Sequence, residues 1–171
     1  MSAHDEPAAV DPVVAIYQRA LPQVYGYLLP RCGSATLAED LSAETFMAAV
    51  AASRREDPPE LSVAWLIGVA RHKLVDHWRR VGREERGFAV AEGGNDGIDD
   101  PRADHLDAAA AYAALARLSA HQRAALTLRY LDGLPVAEVA TFLGRSVRAT
   151  ETLLVRAKVA LRRVYREGEG S

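Results

Sequence analysis

Apolar residues return every three or four positions along this chain, and no stretch sustains a two-residue alternation. A helix buries a stripe at the first period and a strand buries a face at the second, so an all-α protein is predicted. Val13, Ile16, Tyr17, Ala20, Val24, Tyr27 and Leu28 trace a first helix over Val13–Leu29. Pro22 removes a backbone donor inside it, which predicts a kink or a break. A second helix opens at Thr36, where Glu39 stands at capping-box spacing, and runs to about Ser53. Its expected buried side holds Leu37, Leu41, Thr45, Ala48 and Ala52. The polar stretch Arg54–Glu60 contains Pro58 and Pro59, which forbid helix. A third helix covers about Ser62–Val81, with Val63, Leu66, Ile67, Ala70, Leu74, Trp78 and Val81 on one stripe.

The period then disappears. Arg83–Asp104 holds Gly87, Gly93, Gly94, Gly97, Pro101 and a string of acids, the composition of a flexible acidic linker. Four more helices follow, over Leu106–Leu118, Ala120–Leu131, Val136–Leu143 and Val147–Tyr165, and Ser119 with Gln122 makes another capping pair. Two small helical domains are therefore expected, 12–82 and 105–166, joined by a linker over 83–104, with tails at 1–11 and 167–171. Domains of this size have thin cores, so docking on a large partner would support both.

Composition narrows the class. Hydrophobic residues at 49% and charged residues at 26% are globular values, not those of a disordered chain. The longest apolar run, Leu106–Leu118, is interrupted by Asp107 and Arg117. It falls short of the roughly 20 residues that cross a bilayer, so no direct membrane insertion is expected. Met1–Val10 carries Asp5 and Glu6 but no Lys or Arg, unlike a secretory signal. The single cysteine, Cys32, cannot form an internal disulfide and fits a reducing, cytoplasmic setting.

The net charge of −2 conceals a segregation. Residues 1–60 carry 4 basic and 9 acidic side chains, and residues 61–90 carry 6 and 3. Residues 91–107 carry 1 and 6, and residues 108–171 carry 10 and 5. Phosphate binding responds to local basic patches rather than to the total, and two such segments alternate with two acidic ones.

The second basic segment contains the most informative stretch, Leu134–Ser146. A short helix there would bury Val136, Val139, Ala140 and Leu143, Gly144 can end it at positive φ, and Ser146 can cap the next helix. Two helices joined by so tight a turn form a helix-turn-helix, whose second helix enters the DNA major groove. In that helix Val147, Thr150, Leu154, Ala157 and Leu161 face the domain, while Arg148, Glu151, Thr152 and Arg156 lie elsewhere, with Arg145 just before them. Arginine suits bidentate contact with guanine or with phosphate. Lys158, Arg162, Arg163 and Arg166 form a basic end, solvated or facing phosphate. An ordinary helical hairpin with an Arg-rich exposed face is the structural alternative.

In the first domain, His72, Lys73, Asp76, Arg79, Arg80 and Arg83 lie opposite the apolar stripe of the third helix. A polar, basic face on a rigid helix suits tracking of a nucleic-acid backbone. Trp65 and Trp78 fit the core, although an aromatic face can also stack on an unpaired base. His72 and His77 are poorly spaced to share a metal, and no cofactor is expected. Glu39, Asp40 and Glu44 make the second helix acidic outside, a face for a basic protein surface or simply complements to the helix dipole.

Ala38–Phe46 and Ala64–Arg80 resemble the region-two domain of extracytoplasmic-function sigma factors. Leu118–Leu161, with its helix-turn-helix, resembles their region-four domain, and both matches stand in the family's order with a linker between. The resemblance implies a non-enzymatic subunit that binds core RNA polymerase, directs it to promoters and helps open them. Asp40, Leu41, Glu44 and Phe46 would bind the clamp helices of the largest polymerase subunit. Arg54, Arg55, Trp65, His72, Lys73, Asp76 and Arg80 would lie along the minus-ten element, where the loop Ser53–Ser62 holds an extruded base. Arg145, Ser146, Arg148, Thr152 and Arg156 would meet the minus-thirty-five element. The acidic linker would thread toward the RNA exit path, and an anti-sigma factor is a partner expected from the family. Ala43 stands where these proteins usually have Gln, His72 where they have Asn, and Leu153 where a basic residue is common.

Two other classes compete. A stand-alone helix-turn-helix regulator predicts tight duplex binding without polymerase and a dimer on a palindromic site. An antagonist of another sigma factor would not need the basic face of the helix-turn-helix. No phosphate-binding loop, nucleophile elbow or metal-spaced cluster supports an enzyme with a small-molecule substrate.

Overall fold

The computed structural model describes residues 10–88 and 108–169. Among these residues it has seven α-helices and no strand: α1 Pro12–Cys32, α2 Ala35–Ser53, α3 Val63–Phe88, α4 Ala108–Ala116, α5 Ala120–Leu126, α6 Val136–Leu143 and α7 Val147–Glu169. Residues 1–9 of the expected tail and 89–104 of the expected linker lie outside the described residues. The chain divides into two compact units, 1–29 with 34–73 and 30–33 with 74–171, the boundary falling inside α3.

In the first unit, the Asp11 carboxylate accepts from the Val13 N–H at 2.8 Å and starts α1 with Pro12 at its first position. The helix does not break at Pro22 but continues to Cys32. Ala20, Val24 and Leu28, all fully buried, flank the proline, and packing on that stripe outweighs one missing hydrogen bond. Helix α2 begins one residue earlier than expected. Gly33 at φ 65° turns the chain, and Ser34, rather than Thr36, accepts from the Leu37 N–H. The buried positions of α2 are Ala38, Leu41, Ser42, Thr45, Phe46, Ala49 and Ala52, so Leu37 and Ala48 sit at the edge of the stripe. Its two buried hydroxyls are satisfied, Ser42 donating to the Ala38 carbonyl and Thr45 to that of Leu41, each at 2.7 Å. Helix α3 starts where Ser62 accepts from the Trp65 N–H at 3.1 Å, and it buries Leu66 and Ala70 here.

The second unit takes the rest of α3, where Leu74, Val75 and Trp78 are buried. The helix runs past Val81 to Phe88, so residues 83–88, expected in the linker, are helical. Two contacts hold this extension. The Glu85 carboxylate accepts from the Ala120 N–H at 3.0 Å, and Arg86 hydrogen-bonds the His121 ring. Ser119 caps α5 through the Gln122 N–H. Beyond Leu126 the helix widens into a π turn over Thr127–Leu131. Arg129 then donates to the Leu134 carbonyl at 3.1 Å, across the turn that leads to α6. Helix α7 continues through 167–169, expected as tail, and is tied to the end of α4 by Arg117, which pairs with Glu167 at 3.1 Å.

Candidate nucleic-acid interface

Helix α6 ends where turn chemistry requires. Gly144 lies at φ 62°, ψ 40°, a left-handed conformation that costs other residues strain. Two residues on, the Ser146 hydroxyl accepts from the Ala149 N–H at 3.1 Å and opens α7. Val139, Ala140 and Leu143 of α6 and Thr150, Leu154 and Ala157 of α7 are buried. Val136 is half-buried, and Val147, expected to face the domain, is 46% exposed instead, at the first position of α7.

That packing turns the expected DNA-reading residues outward. Ser146, Arg148, Thr152 and Arg156 are exposed, together with Glu151. Arg145 is half-buried, and burial followed by the nearby Arg86 charge pushes its pKa down. Its cationic head thus sits in a positively charged neighbourhood that a phosphate would relieve. The Tyr130 ring, 54% exposed, lies under the ammonium of Lys158 at 5.1 Å and the guanidinium of Arg129 at 5.9 Å. Nothing in the residue spacing announced this aromatic platform, because the π turn that presents Tyr130 has no simple sequence signal.

On α3, His72, Asp76 and Arg80 are exposed and Lys73 is half-buried. The Arg80 guanidinium lies 3.2 Å from His77 Nδ1. Trp78 is buried with the Arg123 guanidinium 5.4 Å from its ring centre, while Trp65 remains half-buried at the start of the helix. Arg54 and Arg55 are exposed just beyond α2. The four residues expected to meet polymerase separate into two pairs. Asp40 and Glu44 are exposed, whereas Leu41 and Phe46 are buried, Phe46 meeting Tyr17 edge-on at 4.8 Å. An apolar cleft of about 450 Å³ lies beside them, lined by Tyr17, Leu21, Pro22, Tyr25, Glu39, Ser42, Ala43 and Phe46. Ala43, the departure from the expected Gln, lines that cleft.

Fold and turn geometry define a helical, helix-turn-helix protein with basic faces on α3 and α7. Residues 16–84 match the family model described as Sigma-70 region 2, and residues 108–161 match that of Sigma-70, region 4. The chain is 36% identical over 132 residues to the ECF RNA polymerase sigma factor SigF of Caulobacter vibrioides, covering 77% of this chain and 73% of that protein. It is 32% identical over 157 residues to the ECF RNA polymerase sigma factor BldN of Streptomyces coelicolor, covering 87% of this chain and 58% of BldN. The fold is similar to that of the sigma factor RpoE from Bartonella quintana, crystallised with the anti-sigma factor NepR: TM-score 0.54, 24% identity, 92% of this chain and 98% of that one. The chain belongs to the ECF RNA polymerase sigma factors. No helix among the described residues is long and apolar enough to cross a membrane.

Proposed function

We propose that this protein binds core RNA polymerase, directs it to specific promoters and helps open them, while polymerase supplies all the chemistry. The observation that carries this reading is the coincidence of both sigma regions in one chain, in order, with α6 and α7 folded as a helix-turn-helix. A region-two domain over 12–82 and a region-four domain over 105–166 divide the work.

In the first domain, Asp40 and Glu44 meet a basic surface of the polymerase clamp, and the apolar cleft beside Ala43 receives side chains of that partner. Leu41 and Phe46 act from beneath by fixing the position of α2. Arg54, Arg55, Trp65, His72, Lys73, Asp76 and Arg80 lie along the melted minus-ten strand, where captured bases offset the cost of unpairing. In the second domain, Arg145, Ser146, Arg148, Thr152 and Arg156 hold the minus-thirty-five duplex. An anti-sigma factor that covers these faces keeps the protein inactive in the cytoplasm; the sigma factor RpoE, of similar fold, is found in complex with the anti-sigma factor NepR.

Run-off transcription tests the proposal. Core polymerase loaded with this chain should produce discrete transcripts from genomic fragments that core alone does not transcribe. Transcripts identical with and without the chain would reject it.

A further inference from the structure

Val155, 56% exposed about two turns into α7, has no part in the contacts assigned above. Thr150, Leu154 and Ala157 bury the opposite side of the helix. Arg148, Glu151, Thr152 and Val155 are all exposed and follow the i, i+3, i+4, i+7 spacing of a single helical stripe. A recognition helix presents one such stripe to base edges in the major groove. Arg145 and Arg156 flank it, at positions suited to the phosphates on either side.

A lone exposed valine is ordinary on a protein surface, and a protein-docking patch would need contiguous apolar area. Arg148, Glu151 and Arg156 around Val155 deny it that area. Thr152 decides the matter. Its hydroxyl donates to the Arg148 carbonyl at 3.1 Å, so its hydrogen is committed within the helix. A methyl group is left beside Val155, three residues on and on the same face. The stripe therefore offers a small apolar strip between cations. In the major groove, the only apolar group on a base edge is the C5-methyl of thymine.

We propose that Val155, with the Thr152 methyl group beside it, reads the methyl group of one thymine in the duplex element bound by α7. This rests on the promoter-recognition reading above and adds a specificity-determining residue to it.

The test uses the full chain in complex with core RNA polymerase. A pool of duplex promoter fragments randomised in the upstream element gives the preferred sequence, and each thymine in it is then replaced singly by deoxyuridine. One replacement should weaken wild-type binding about fourfold, the effect of one buried methyl group. Val155→Ala should lose a similar factor on the thymine fragment and become indifferent to that replacement, the coupling expected of a direct contact. Thermal unfolding should be unchanged, since the side chain is exposed. A variant as sensitive as wild type to every deoxyuridine would overturn the inference, as would a preferred element without thymine. Weakened binding of the variant to core polymerase, with base preference intact, would overturn it in favour of a protein contact. A wild-type complex that selects no sequence would remove the promoter reading itself, before any variant is made.

Discussion

Lys73 Nζ of α3 lies 3.8 Å from Glu44 Oε2 of α2, both within the first compact unit. The side chains are 35% and 53% exposed, so water and salt screen the pair heavily. Such pairs contribute about 0–1 kcal/mol. Its interest is functional, because Glu44 is assigned to polymerase and Lys73 to the promoter strand. On the proposed assignments the two partners would stand side by side on this unit, and each would draw its residue away from this pair.

Glu44→Gln and Lys73→Gln should each leave urea-unfolding stability within about 1 kcal/mol of wild type. Their functional effects should diverge. The first should weaken binding to core polymerase. The second should spare that binding, weaken promoter binding and reduce its salt dependence by about one phosphate contact. Equal loss of core binding in both would show that Lys73 belongs to the polymerase face.

Gly144→Ala should cost about 1–2 kcal/mol, because its backbone at φ 62° disfavours any side chain. The added Cβ would also come within 2.8 Å of Arg79 Nη2, the far end of a side chain that can move aside. Urea denaturation reads the cost, and Gly144→Asn should recover part of it, since Asn tolerates this conformation better.

That turn was legible in the sequence, as were the all-helical class and the central buried positions of α3, α6 and α7, although Val136 is only half-buried and Val147 is exposed. Gly144 and Ser146 encode their roles locally, one by backbone freedom and the other by a hydroxyl at the right distance from a free N–H. The misread features depended on remote packing or on competition between similar signals. Pro22 is a local breaker overruled by the burial of Ala20, Val24 and Leu28. Ser34 and Thr36 are both competent caps, and the bend at Gly33 favours the first. The extension of α3 to Phe88 rests on Glu85 and Arg86 meeting Ala120 and His121, partners about 35 residues away that no local pattern announces. At the site, exposure of Arg148, Thr152 and Arg156 followed from helical period alone. So did the burial of Leu41, whereas that of Phe46 did not, since α2 carries apolar residues on more than one face.

His121 makes stability depend on pH. Burial, reinforced by the charges of Arg86, Arg145, Arg79 and Arg83, pushes its pKa down to about 4. Arg86 donates to the ring at Nε2, and Nδ1 has no hydrogen-bond partner among the described residues. A histidine with a depressed folded pKa binds its proton more readily when unfolded, so its effect on stability is absent above about pH 6.5 and grows as pH falls toward 4. Urea midpoints should therefore decline across that window, and His121→Gln should flatten the decline. An unchanged slope in the variant would assign the pH dependence to other groups.

Cys32 should behave as an inert thiol. It is 7% exposed, and burial pushes its pKa up to about 11 despite the nearby Arg123 and Arg31 charges. Native protein at pH 8 should react with a thiol-specific chromogenic reagent far more slowly than protein unfolded in urea. Equally fast reaction in the two states would show that this end of α1 opens readily.

The central claim is tested most directly by measuring affinity for purified core RNA polymerase alongside affinity for duplex promoter DNA without polymerase. The sigma reading predicts tight binding to core and only weak, salt-sensitive binding to free duplex. Specific duplex binding with no affinity for core would contradict it and leave an independent helix-turn-helix regulator.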